Sequence, residues 1–269
     1  MIEGLAMAHP QSGSTSELPS LRLDGHTALV TGSSKGLGKA MARTLGAQGA
    51  RVALNYKHGK EKAEATWKEL RAAGIECDLF CGDVTDEGEV GDLCARVAKS
   101  LGPIDLLIVN ATPAQPLKPI EQYDWAFYQS MLDFFVKSPF LLTRALLPRM
   151  KQQRFGRILN IGSEVFRRGV PNFSAYVAAK GAQTGWTRSM AMELAQWSIT
   201  VNMVSPGWIP VERHEHDAQA DKDAYKAMIP LRRWGVPADV GGLVAFLCSD
   251  AAAFLTGQDI PVNGGMTVT

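Results

Sequence analysis

The sequence predicts one doubly wound α/β domain built around a parallel sheet, and three observations predict it. Short β-rich runs alternate with longer amphipathic ones from Thr27 onward. The short runs are apolar on both faces, as strands are when helices cover both sides of their sheet. A glycine-rich turn follows the first run and opens the first helix. The chain has 269 residues, enough to bury a full core, and no linker-like shift in composition divides residues 23–269.

The elements follow in order. Thr27–Thr31 is a strand rich in β-branched residues, and Gly36–Gln48 is a helix with Leu37, Met41 and Leu45 along one stripe. Arg51–Asn55 is the second strand, Glu61–Ala73 the second helix and Glu76–Phe80 the third strand. A helix over Glu87–Leu101 leads to Asp105–Val109, the most apolar strand. A long helix near Tyr123–Met150 precedes the strand Arg157–Ile161. The helix Ala175–Ala195 and the strand Thr200–Val204 come next. Pro237–Cys248 is the last helix, with proline at its first position, and Asp259–Val262 the last short strand. Residues 1–22 carry Gly, Ser, Pro and Thr without periodicity and read as a flexible tail.

Composition removes several classes of function. The 28 Lys+Arg against 27 Asp+Glu leave a net charge of +1, which excludes an overall polyelectrolyte grip on nucleic acid or an acidic membrane. The four cysteines form no Cys-x-x-Cys pair, so neither a disulfide scaffold nor a zinc site is expected. No apolar run approaches the ~20 residues that cross a bilayer, and the first residues do not read as a secretory signal. A cytoplasmic protein is the expectation, and no internal repeat suggests a solenoid.

The turn Thr31-Gly32-Ser33-Ser34-Lys35-Gly36-Leu37-Gly38 carries chemistry. Glycines let the backbone turn tightly and let a pyrophosphate approach the positive end of a helix, where N–H groups point outward. Its spacing, Gly-x-x-x-Gly-x-Gly, departs from the general Gly-x-Gly-x-x-Gly fingerprint. Further stretches follow in order: Gly82-Asp83-Val84-Thr85-Asp86, Asp105-Leu106-Leu107-Ile108-Val109-Asn110-Ala111, Tyr176-Val177-Ala178-Ala179-Lys180, Ser205-Pro206-Gly207 and Val262-Asn263-Gly264-Gly265. On these motifs the chain resembles the short-chain dehydrogenase/reductase family over about residues 24–267. It is most similar to that family's 3-oxoacyl-(acyl-carrier-protein) reductases and its sugar or polyol dehydrogenases. The resemblance implies a seven-stranded parallel sheet of Rossmann type and a homodimer or homotetramer.

Tyr176 and Lys180 stand four apart on a predicted helix and share a face. A nearby ammonium favours the phenolate and brings a tyrosine toward useful acid–base range. Ser163 follows a strand, at the carboxyl edge where ligands bind in such sheets. Alone, each of these is commonplace. Together they match the family's Ser, Tyr and Lys, and the resemblance implies that Ser163 holds the substrate oxygen while Tyr176 moves its proton. It also implies that Lys180 lowers the tyrosine pKa and binds the nicotinamide ribose.

The cofactor residues implied are Gly32, Ser34, Lys35, Gly36, Leu37, Gly38, Asn55, Tyr56, Lys57, Asp83, Val84, Asn110, Ala111, Tyr176, Lys180, Pro206, Gly207 and Ile209. Asp83 would accept from the adenine amino group, and Asn110 would line the adenosine side. The second strand ends without an acid, while Lys35 and Lys57 supply positive charge, which favours NADP(H) over NAD(H).

Three positions depart from the family pattern. Phe135 stands where many members carry an Asn that holds a relay water, and a phenyl ring cannot hold one. Either a pseudoenzyme results, or Phe135 is core and Ser130 or Asp133 reaches the relay. Thr112 and Val211 replace the usual Gly and Thr. The segment near 208–230 is expected to form a substrate lid. Within it, His214-Glu215-His216 lacks a third ligand and is assigned no metal. Glu164, Phe166, Arg167 and Arg168 are candidates to line the pocket, and Arg213, Arg232 and Arg233 to attract an acidic substrate. The reading is a carbonyl reductase or alcohol dehydrogenase acting on a small molecule or acyl thioester.

Overall fold

The computed structural model describes residues 18–268. Most of the tail expected over 1–22 therefore lies outside the described residues. Seven parallel strands, β1 (Thr27–Val30), β2 (Arg51–Tyr56), β3 (Cys77–Cys81), β4 (Leu106–Val109), β5 (Gly156–Ile161), β6 (Ile199–Pro206) and β7 (Asp259–Val262), form one sheet ordered β3-β2-β1-β4-β5-β6-β7. The chain works outward from β1 to one edge, then restarts at β4 beside β1 and runs to the other. That reversal opens a crevice at the carboxyl ends of β1 and β4.

The helices are α1 (Gly36–Ala47), α2 (Lys60–Ala72), α3 (Glu87–Leu101), α4 (Trp125–Leu132), α5 (Ser138–Gln153), α6 (Val165–Arg168), α7 (Ser174–Leu194), α8 (Gln219–Met228) and α9 (Pro237–Cys248). Alternate strand residues serve opposite cores. Ala28 and Val30 pack with Met41 and Leu45 of α1 and Val240 and Val244 of α9. Leu29 between them packs on the other face, with Leu93 of α3, Leu142 of α5 and Ala191 of α7. This two-sided burial is why the strands read as continuous apolar runs, and each such aliphatic side chain contributes ~1.5–3 kcal/mol when fully buried. No helix among the described residues is long and apolar enough to cross a membrane.

Two elements differ from expectation. The helix expected near Tyr123–Met150 is interrupted by a π turn over Asp133–Lys137, where the Ser138 N–H reaches back to the Asp133 carbonyl. Pro139 is the physical reason: it has no N–H to give one turn back, and its ring crowds the preceding carbonyl. The segment expected to form the lid, to which no element is assigned from sequence, contains the ten-residue helix α8, whose single buried residue is Tyr225.

Candidate active site

The candidate residues come from the carboxyl ends of six successive strands. Gly32, Ser34, Lys35, Gly36, Leu37 and Gly38 lie at the β1–α1 turn, and Asn55, Tyr56 and Lys57 at the end of β2. Asp83 and Val84 follow β3, Asn110 and Ala111 follow β4, and Ser163 follows β5. Pro206, Gly207 and Ile209 lie at the end of β6. The fold brings this set to one edge.

The β1–α1 turn is drawn tight by close backbone approach. A side chain on Gly32, at φ +61°, would meet the Ala111 backbone at 2.8 Å, and one on Gly38 would meet the Gly32 carbonyl at 2.4 Å. The Thr31 hydroxyl accepts from the N–H groups of Asn110 and Ala111. Asn110 Nδ2 donates to the carbonyls of Thr31 and Gly32. Asn55, 2% exposed, accepts from the Gly32 N–H and donates to the Gly82 carbonyl. Asn55 and Asn110 thus turn their side chains into the fold and brace the turn.

Helix α1 begins differently from α3 and α4. Asp86 and Asp124 cap those two by accepting from Glu89 and Phe127 N–H groups. Lys35 makes no side-chain cap to α1, whose first turn contains no acid. Such an N-terminus is electropositive and suited to an anion. A side chain on Gly36 would enter the space between this turn and the lid, 3.5 Å from Val211. A dinucleotide's pyrophosphate fits this turn. Lys57, exposed at the end of β2, is ion-paired with Asp83.

Tyr176 is 8% exposed and Lys180 is 3% exposed. The Tyr176 ring packs against Phe173 at 4.9 Å and edge-on against Phe135 at 5.3 Å. Burial raises its pKa above the ordinary tyrosine value, while the neighbouring Ser163 hydroxyl and then the Arg213 charge pull the other way. Ser163 Oγ is also 3.4 Å from the Val165 N–H. Lys180 Nζ donates to the Ile161 carbonyl at 2.6 Å and to Gln183 Oε1 at 3.0 Å. Burial, then repulsion from Arg213, pushes its pKa well below the usual lysine value. Lys180 Nζ lies 5.6 Å from the Tyr176 ring centroid, and the Arg213 charge also acts on the phenol.

The segment expected to form the lid is held to the loop after β5. Glu164, 2% exposed, accepts from the Tyr225 hydroxyl at 2.6 Å and from Arg168 at 2.8 Å. The Tyr225 hydroxyl in turn accepts from the Trp208 N–H, and Trp208, Tyr225 and Trp234 pack together. Several pocket candidates are thereby engaged elsewhere. Glu164 and Arg168 pair with each other, Arg167 with Asp259 and Arg233 with Asp239. Phe166 lies against Gly181, and Arg232 donates to the Ala227 carbonyl. Neither Ser130 nor Asp133 reaches toward Lys180: Ser130 donates to the Phe127 carbonyl, and Asp133 accepts from Gln129. Phe135 is buried core instead.

Sequence reasoning missed Gln183 and the Glu164–Tyr225 contact. A signal existed for Gln183: positions 176, 180, 183, 184 and 187 place a run of polar residues on one face of a helix that must pack.

A sheet of this order with serine, tyrosine and lysine at its carboxyl edge defines an oxidoreductase of the doubly wound class. The chain belongs to the short-chain dehydrogenase/reductase family; a family model described as enoyl-(acyl carrier protein) reductase matches residues 32–267. It is 38% identical over 242 residues to the 3-oxoacyl-[acyl-carrier-protein] reductase FabG of Staphylococcus aureus, covering 89% of this chain and 97% of that one. The gluconate 5-dehydrogenase of Burkholderia cenocepacia J2315, solved in complex with NADP and tartrate, superposes with a TM-score of 0.85 at 30% identity, covering 91% of this chain and 96% of that one. A dehydrogenase/reductase from Sinorhizobium meliloti 1021 superposes with the same TM-score at 31% identity, covering 93% and 98%.

Proposed function

We propose that this chain is an NADP(H)-dependent oxidoreductase that interconverts a carbonyl and a secondary alcohol, with Tyr176 as acid/base, and that it most resembles a 3-oxoacyl-thioester reductase. The observation that carries this reading is the grouping of Ser163, Tyr176 and Lys180 in a sheet whose carboxyl edge also carries the uncapped N-terminus of α1. The Staphylococcus aureus relative supports the thioester, and the Burkholderia structure supports the cofactor. Bound nicotinamide supplies or takes the hydride. The protein's own residues do the rest. The N–H groups of the glycine turn hold the pyrophosphate, and Lys35 and Lys57 favour the 2′-phosphate. The Ser163 hydroxyl donates to the substrate oxygen, and Tyr176 delivers the proton to it. A phenol whose pKa is raised by burial stays protonated at neutral pH, as a donor in carbonyl reduction must. Four free thiols suit a cytoplasmic setting.

A second reading, a sugar-acid dehydrogenase, is favoured by the Arg213 charge beside Tyr176, which suits a carboxylate. NADPH oxidation is measured with β-ketoacyl thioesters, diketones, quinones, aldoses and keto-sugar acids. Turnover with thioesters that falls about 100-fold or more in Tyr176→Phe is the expected result. Turnover confined to sugar acids establishes the second reading, and tight NADPH binding with no turnover on any of them refutes both.

A further inference from the structure

An ammonium carries three N–H donors. At Lys180 two end on oxygens, the Ile161 carbonyl and Gln183 Oε1, and the Phe135 ring centroid lies 3.6 Å from Nζ. Lys180, Gln183 and Phe135 are all buried, Gln183 completely. The contact with Phe135 is a cation–π contact at van der Waals distance.

Gln183 is an odd residue to find there for packing alone. Its Nε2 is buried without a hydrogen-bond partner. An orphaned buried donor is a standing cost to stability, which an aliphatic side chain of similar size would avoid. Its oxygen, by contrast, is in use. Tyr176, Lys180 and Gln183 are spaced four and three apart, so the amide comes from the same helical face as the groups it serves. Phe135 arrives by a different route: the π turn forced by Pro139 carries it against both Tyr176 and Lys180. Single π turns in α-helices recur at functional sites.

We propose that Gln183 and Phe135 are positioning residues for Lys180, the amide oxygen fixing one N–H and the ring face holding the ammonium by a cation–π contact. The proposal rests on the oxidoreductase reading of Tyr176 and Lys180. From the elements packed around it, Lys180 faces Tyr176 on its own helix and the Arg213 charge on the lid. In the π turn, Asp133 is engaged with Gln129 and Lys137 is exposed, so that turn brings it no counter-charge. Gln183 and the Ile161 carbonyl are the neutral acceptors that favour the charged form.

The test uses the full chain labelled with ¹³C at lysine Cε, with Lys180→Met assigning the resonance. The titration midpoint of Lys180 is followed by NMR in the native protein, Gln183→Leu, Gln183→Glu and Phe135→Leu. Removing the acceptor disfavours the ammonium, so Gln183→Leu moves the midpoint down by about one pH unit or more, the scale of one charged hydrogen bond. Gln183→Glu adds an anion and moves it up, and Phe135→Leu moves it down. In Gln183→Leu, kcat falls about tenfold, with its pH profile displaced in the same direction as the midpoint, while Tm does not fall, because the orphaned donor is gone. Unmoved midpoints in both Gln183 variants overturn the proposal. So does a kcat that falls in step with Tm while the Lys180 titration stays fixed, since that marks a purely structural role. If the native protein turns over no carbonyl, the oxidoreductase reading fails, and the Lys180 titration still reads out the socket.

Discussion

At the scale of single residues, Phe135 connects the core to the chemistry. Its ring is 2% exposed and touches both Tyr176 and Lys180, so a polar side chain placed there loses packing and buries an amide. Phe135→Asn is expected to destabilise the fold by ~3 kcal/mol or more, lowering Tm by about 6–12 °C for a chain of this size. Urea unfolding beside a thermal melt checks this. A variant as stable as the native protein with faster turnover would show instead that the position wants a polar group. Tyr176 yields a second expectation. Because burial raises its pKa, reductive turnover holds across neutral pH and declines only on the alkaline side, as the phenol loses the proton it must donate. A pH–rate profile that falls away near pH 7 contradicts it. Ser163, Tyr176 and Lys180 could be nominated because together they match the family's pattern; the spacing of each alone is commonplace. Gln183 could not, since its role depends on which way an ordinary-looking amide points.

At the scale of elements, helices α3 and α9 and strand β7 begin and end where the sequence places them, each bounded by a clear cap, proline or apolar edge. The long middle helix does not, because a proline at position 139 acts one turn upstream of itself. Helix α8 escaped notice because nearly all of it is solvated; what holds it is Tyr225 on Glu164, a contact between residues 61 apart in sequence. Tyr225→Phe removes that bond and the acceptor for the Trp208 N–H, so KM is expected to rise about tenfold with kcat little changed. Steady-state kinetics separates the two, and a kcat effect without a KM effect counts against a lid role. His214 adds a pH dependence. Burial, then the Arg213 charge, lowers its pKa to about 4, below the 6.5 of an ordinary histidine. The unfolded chain therefore binds this proton first, and stability present above pH 6.5 is lost as pH falls toward 4. His214→Gln is expected to lose less Tm between pH 7 and pH 5 than the native protein does.

At the scale of the whole molecule, the surface bears on assembly. Phe127, Phe134, Trp186 and Met190 on α4 to α7 are half-buried against their own core. The apolar residues left outward on the helices of that side are Trp125, Phe140 and Met192, the last 83% exposed. We propose that α5 and α7 pair across a two-fold axis in a homodimer or homotetramer. Light scattering is expected to give at least twice the 29.1 kDa chain mass, and a concentration-independent monomer refutes this. We propose that Lys35 and Lys57 set cofactor choice. Lys35→Ala and Lys57→Ala are each expected to weaken NADPH binding by roughly ten- to a hundred-fold while leaving NADH nearly unchanged. Equal losses for both cofactors sink the assignment. The two lysines are not equivalent, since Lys57 already has a carboxylate partner in Asp83 and Lys35 makes no cap to its own helix.

Glu164 immediately follows Ser163 in the chain and holds the lid helix by the Tyr225 hydroxyl. The segment that we propose covers the substrate is thus fastened to the very loop that carries Ser163. Breadth of substrate and alignment of the reacting groups are then a single trait under selection: a lineage that slackens the cover to admit bulkier molecules also displaces its serine. On that reading, change toward new substrates goes through paired substitutions at Glu164 and Tyr225.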